Sequence, residues 1–172
     1  MATFEKDDLE AALNQLIELL VERKIPATIR LVGGAALSLA YFDRSATVDV
    51  DAVLHPAEPI KQAAAAIAAR NGWPDDWLND RAVAFLSHYD TADDWRILRE
   101  LDGVTVFVAS AELLLAMKLL AARGPRDYTD LDELLVICGV STLAEAETIF
   151  ERYYPDEILK PRAMRYLEAR YP

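Results

Sequence analysis

Apolar residues at Leu9, Leu13, Leu16, Ile17 and Leu20 recur at helical spacing behind Asp7-Asp8, which predicts a helix capped by those aspartates. Pro26 ends that approach, and residues 27–32 read as a first strand. After Gly33-Gly34 a short helix over 35–42 leads to a second strand over 48–54. The alanine-rich stretch 59–71 predicts a helix, with Pro59 near its first turn and Gly72 beyond its end. Trp73-Pro74-Asp75-Asp76-Trp77 reads as a loop, and 83–86 as a short strand. Residues 95–99 and 104–109 predict a hairpin around Leu101-Asp102-Gly103. Ser110 then caps a strongly apolar helix that runs to Arg123 and stops at Gly124-Pro125. Three more helices are expected over 128–138, 142–153 and 158–169, the second opening on a Thr142/Glu145 capping box. Strands come early and helices dominate after residue 110, so the predicted class is α+β with a helical C-terminal half. The division expected is a core over 1–110 and a helical part over 111–172 packed on it as a single compact unit, without repeats or a low-complexity linker.

Among the predicted strands, 48–54 carries chemistry. With a strand period of two, Asp49 and Asp51 leave the same face about 7 Å apart, while Val48, Val50 and Ala52 can face a core. Neighbouring carboxylates repel, and a shared divalent cation relieves the repulsion. Mg²⁺ takes oxygen ligands, commonly one or two carboxylates plus substrate phosphates. Gly33-Gly34 lets a backbone approach those phosphates at a helix N-terminus, where free N–H groups and the dipole favour anions. Taken singly, each feature has a plainer explanation: an Asp-x-Asp is often a solvated strand face, and glycines after strands are ordinary turn residues.

This arrangement resembles the nucleotidyltransferase superfamily of the minimal nucleotidyltransferases, and more closely the abortive-infection (AbiEii-like) toxin nucleotidyltransferases and their small relatives. The first block of likeness is Gly33-Gly34, the helix over 35–42, Arg44 and Thr47-Val48-Asp49-Val50-Asp51. A second block is Lys118, Arg123, Asp127, Asp130 and Leu131. Together they cover about residues 27–137. The resemblance implies a nucleotidyltransferase-like mixed sheet with flanking helices. It also implies an Mg²⁺- or Mn²⁺-dependent transfer of a nucleoside monophosphate from a nucleoside triphosphate to an RNA end, a transfer RNA above all, or to a protein. A bacterial toxin–antitoxin setting with a cognate antitoxin follows from the resemblance alone. The superfamily usually adds a third carboxylate on a later strand, but Val104-Thr105-Val106-Phe107-Val108 holds no acid.

In that frame Asp49 and Asp51 are the metal ligands and catalytic acids, and Gly33, Gly34, Arg44 and Lys118 bind the triphosphate. Arg44 serves equally well as a counter-charge at a helix C-terminus. Lys118 sits in an otherwise apolar helix, where it either snorkels to the surface or reaches a phosphate. Asp127 reads as a helix-capping acid, and Asp130 either orients Lys118 or serves as a further catalytic acid. His55, His88 and Cys138 lack zinc-ligand spacing, and Ser38, Ser87 and Ser110 lack a base. Trp77 and Asn79 suit core packing and loop capping better than a base-stacking pocket, and Tyr153 and Tyr154 suit the C-terminal core.

Composition narrows the choice of partners. The 172 residues are 53% hydrophobic, which excludes disorder, and the formal net charge of −11 argues against a general nucleic-acid binder. Basic residues gather late, at Lys160, Arg162, Arg165 and Arg170, so an RNA would be held by a local patch. The acidity equally suits a basic protein partner. The single Cys138 cannot form an intrachain disulfide, and neither a secretory signal nor a membrane-spanning run is legible, so a cytoplasmic location without membrane contact is expected. The alternative to an enzyme is a module that binds a nucleotide or partner on a degenerate nucleotidyltransferase fold without transfer, or a scaffold whose acidic surface docks a basic partner.

Overall fold

The computed structural model describes residues 4–42 and 47–172. Phe4 forms an isolated bridge with Thr47, so Glu5 is still extended when α1 (Lys6–Glu22) begins. The cap is therefore Glu5, not Asp7-Asp8: the Glu5 N–H donates to Asp8 Oδ2 at 3.0 Å. Leu9, Leu13, Leu16, Ile17 and Leu20 are buried, as their spacing predicts.

The chain divides into two units. The first, Met1–Ala84 with Trp95–Ala109, is built on a five-stranded sheet. Its strands are β1 (Ala27–Val32), β2 (Val50–His55), β3 (Leu78–Asn79), β4 (Trp95–Leu101) and β5 (Val104–Ala109), in the spatial order β3-β2-β1-β5-β4. β1 runs antiparallel to β2 and parallel to β5, so the sheet is mixed and open. Ile29, Leu31, Val50, Ala52, Leu54, Val104, Val106 and Val108 alternate onto one buried face. That face packs against α1, α2 (Gly33–Ala40) and α3 (Ala57–Asn71). At about 25 cal/mol per Å² of apolar surface, a face of this kind supplies most of the drive to fold.

Sequence expectations for β2 and for residues 83–86 change in this unit, while that for Trp77 holds. β2 starts at Val50, leaving Asp49 in the bend before it. The expected strand at 83–86 is a 3₁₀ turn, Arg81–Phe85, because the pairing edge of β2 is taken by Leu78–Asn79. Trp77 is fully buried beside Phe4 and Trp73, with its indole N–H donating to the Ala64 carbonyl of α3 at 2.9 Å. It packs the core.

The second unit, Phe85–Asp94 with Ser110–Pro172, is helical: α4 (Ala111–Ala121), α5 (Pro125–Ile137), α6 (Leu143–Tyr153) and α7 (Pro161–Arg170). Ser110 caps α4 by accepting the Leu113 N–H, and Thr142 and Glu145 form the expected capping box. Gly124-Pro125 opens α5 as well as separating it from α4, since Pro at the first helical position loses no hydrogen bond. Tyr153 and Tyr154 belong to the core, as expected, and they anchor the 85–94 segment. The Tyr153 carbonyl accepts from Ser87 Oγ, and the Tyr154 hydroxyl donates to the Phe85 carbonyl. Among the described residues, no helix is long and apolar enough to cross a membrane.

Candidate active site

In the first unit, β1 ends at Val32 and the chain turns directly into α2 through Gly33, whose φ is +63°. That backbone conformation disfavours any side chain. Space demands glycine too: a Cβ at Gly33 would lie 2.9 Å from Asp51 Oδ2. Asp51 pairs with Val32 on one side and with Asn79 on the other, so the sheet register delivers its carboxylate to the N-terminus of α2. Gly33→Ala is therefore expected to cost about 1–2 kcal/mol from the backbone alone. It should also push the Asp51 carboxylate aside. Denaturant midpoints read the first effect.

Asp49 is held from a different direction. The Asn79 side chain accepts the Arg81 N–H at 3.0 Å through Oδ1, so its Nδ2 faces Asp49 and donates to Oδ2 at 3.2 Å. The Arg81 guanidinium stands 3.7 Å from the same oxygen and also pairs with Asp76. Lys61 of α3 bonds Asp80 at 2.7 Å and keeps that carboxylate below its ordinary range. With the Val50 N–H donating to the Trp77 carbonyl at 2.6 Å, the 76–81 segment is pinned at both ends of the turn.

Asn79 caps the turn at Arg81, as the sequence suggests, and in addition is buried and bonded to Asp49. Arg81 escapes sequence reasoning entirely. The signal, a polar Asn-Asp-Arg behind a buried tryptophan, says nothing about an aspartate thirty residues earlier. Arg44 lies outside the described residues, and Gly34 continues the first turn of α2.

The donor set suits a hard divalent cation: two carboxylates two residues apart in one segment, with the glycine leaving room for one of them. Among the described residues no group of three or more His, Cys, Asp or Glu side chains is arranged around a metal. A cation at Asp49 and Asp51 would thus complete its shell with water or phosphate oxygens, as Mg²⁺ commonly does.

The second unit gathers the other block. The Lys118 ammonium lies 2.7 Å from Asp127 Oδ1 and 2.7 Å from Asp130 Oδ2. The lysine side chain is 15% exposed and the two carboxylates 3% and 5%. Lys118 therefore does not snorkel: its charge is matched inside the unit. Asp127 is not a simple cap either. Gly124 occupies the cap position of α5, and Asp127 turns inward to Lys118 while accepting the Arg123 N–H at 3.2 Å.

A separate open cavity of about 520 Å³ in this unit is lined by Asp94, Ser110, Glu112, Cys138, Arg152 and Tyr153, among others. Desolvation opposes the Asp94 charge, but hydrogen bonds from Tyr153, Thr91 and Ser110 outweigh it and hold its pKa below the ordinary range. Burial, with Glu112 nearby, pushes the Cys138 thiol up to about 11, which leaves it without nucleophilic thiolate at neutral pH.

No curated protein and no solved structure matches the chain. A family model does, over residues 8–167, and its description is a nucleotidyltransferase of unknown function (DUF6036). The match spans both units, the glycine turn with its two aspartates and the buried lysine with its two acids, and the chain belongs to this nucleotidyltransferase family.

Proposed function

We propose that the protein is a divalent-cation-dependent nucleotidyltransferase that moves a nucleoside monophosphate from a nucleoside triphosphate to a hydroxyl of an RNA end or a protein. The observation that carries this reading is the placing of Asp51 against Gly33 at the start of α2, with Asp49 two residues before it. Asp49 and Asp51 would hold Mg²⁺ or Mn²⁺, which neutralises phosphate charge during displacement of pyrophosphate. The first N–H groups of α2 have no partner within the helix and can turn to the triphosphate, and Gly33 lets it come close. In the transfer the acceptor hydroxyl forms a P–O bond as the bond to pyrophosphate breaks, and the hydroxyl proton leaves to water. Catalysis is then mainly positioning and charge stabilisation.

Arg44 and Lys118 are the cations this reading assigns to the triphosphate. For Lys118 that role requires the ammonium to exchange a carboxylate for a phosphate oxygen; the alternative is that Asp130 and Asp127 use it to hold α4 and α5 together. The toxin-like setting with an antitoxin, and transfer RNA as acceptor, rest on the resemblance of the two motif blocks. A second reading, nucleotide binding without transfer, is favoured by the acid-free sequence of β5.

Incubation with each α-labelled triphosphate, total transfer RNA and cell extract tests the proposal. Label on RNA or protein that needs Mg²⁺ or Mn²⁺ and vanishes with EDTA is the expected result. Labelling that survives EDTA would overturn the metal mechanism, and tight triphosphate binding without label on any acceptor would establish the binding module instead.

A further inference from the structure

Resting on the metal-site reading above, we infer that Arg81 is a built-in counter-ion for Asp49, set in place by Asn79, which a divalent cation must displace. Three observations point this way. The guanidinium lies 3.7 Å from Asp49 Oδ2, in the space beside a proposed metal ligand. It is shared with Asp76, and the Arg81 side chain is 64% exposed, so it can leave Asp49 without losing its second carboxylate or opening the core. The backbone of Arg81 is fixed independently of its side chain, because Asn79 Oδ1 takes its N–H while Asn79 Nδ2 takes Asp49. Asn79 is in this sense a positioning residue: one buried amide sets both the aspartate and the base of the arginine.

Physical chemistry gives the consequence. A carboxylate beside an uncompensated like charge repels it, and an arginine relieves that repulsion as a divalent cation does. Cation and guanidinium then compete for Asp49, and they also repel each other. The guanidinium is exposed and the carboxylate partly so, and salt screens the pair, so the competition is modest. Its use is selectivity: bare cation is held weakly, whereas a cation arriving with a triphosphate brings anionic oxygens that the displaced guanidinium can meet.

The test is calorimetric titration with Mn²⁺ alone and with Mn²⁺ plus a nonhydrolysable triphosphate, on the full chain at low and high salt. Arg81→Gln should bind Mn²⁺ alone about two- to fivefold more tightly than the parent, the range expected for removal of an exposed ion pair. Arg81→Lys should stay close to the parent. The gap should narrow at high salt, and for Mn²⁺–triphosphate it should vanish or reverse. Equal or weaker Mn²⁺ binding by Arg81→Gln overturns the counter-ion role while leaving the metal site standing. Mn²⁺ binding that Asp49→Asn does not alter in either background places the cation elsewhere and overturns the metal-site reading first, as does the absence of Mn²⁺ binding altogether.

Discussion

Lys118→Met is expected to destabilise the protein by about 3–5 kcal/mol, the cost of breaking a buried pair by removing one partner. The residue is only 15% exposed, and its loss removes the cation from Asp127 and Asp130, which have almost no access to water. For a chain of this size the melting temperature should fall by roughly 6–20 °C, followed by circular dichroism. The reason is electrostatic and not steric, because methionine keeps the apolar stem. Combining Lys118→Met with Asp127→Asn and Asp130→Asn should therefore recover much of the loss, since replacing a whole buried ion cluster by neutral groups is often close to neutral. A lysine that merely snorkelled would give the opposite result, unchanged or slightly raised stability. Should the triple variant be as stable as the parent yet deficient in triphosphate binding, the cluster serves the nucleotide as well as the fold. Equal binding would assign it to the joint of α4 and α5.

Asp49→Asn with Asp51→Asn should remove transfer activity by about a thousandfold or more, since several kcal/mol of charge stabilisation depends on the cation they would hold. Mn²⁺–triphosphate binding, read by calorimetry, should fall with it. Asparagine preserves shape, so the fold should tolerate the change: Asp51 keeps its packing against Gly33, and the Asn79 amide can still reach a side-chain oxygen at position 49. A double variant that binds metal–nucleotide as well as the parent would show that the site has been misplaced. Loss of structure together with activity would instead make the aspartates part of the scaffold.

The periodic apolar pattern of the sequence determined α1, the buried faces of β1, β2 and β5, the hairpin of β4 and β5, and the capped starts of α4 and α6. These follow from local rules, the 3.6 and 2.0 periods and cap chemistry, that need no distant residue. The closeness of Gly33 and Asp51 follows from such local rules too, since a glycine turn ends β1 and the next strand carries the acid. What surrounds them does not. That β3 is two residues long, that Asn79 bonds Asp49, and that Arg81 stands beside it depend on which strand pairs with the edge of β2. Lys118 shows the same limit from the other side. Its helix period located it on a buried surface, but only the packing of α5 on α4 supplied two carboxylates and turned an apparent surface charge into an internal one. Local sequence sets which groups are available, whereas a buried charge acquires its meaning from partners that folding brings within a few ångströms.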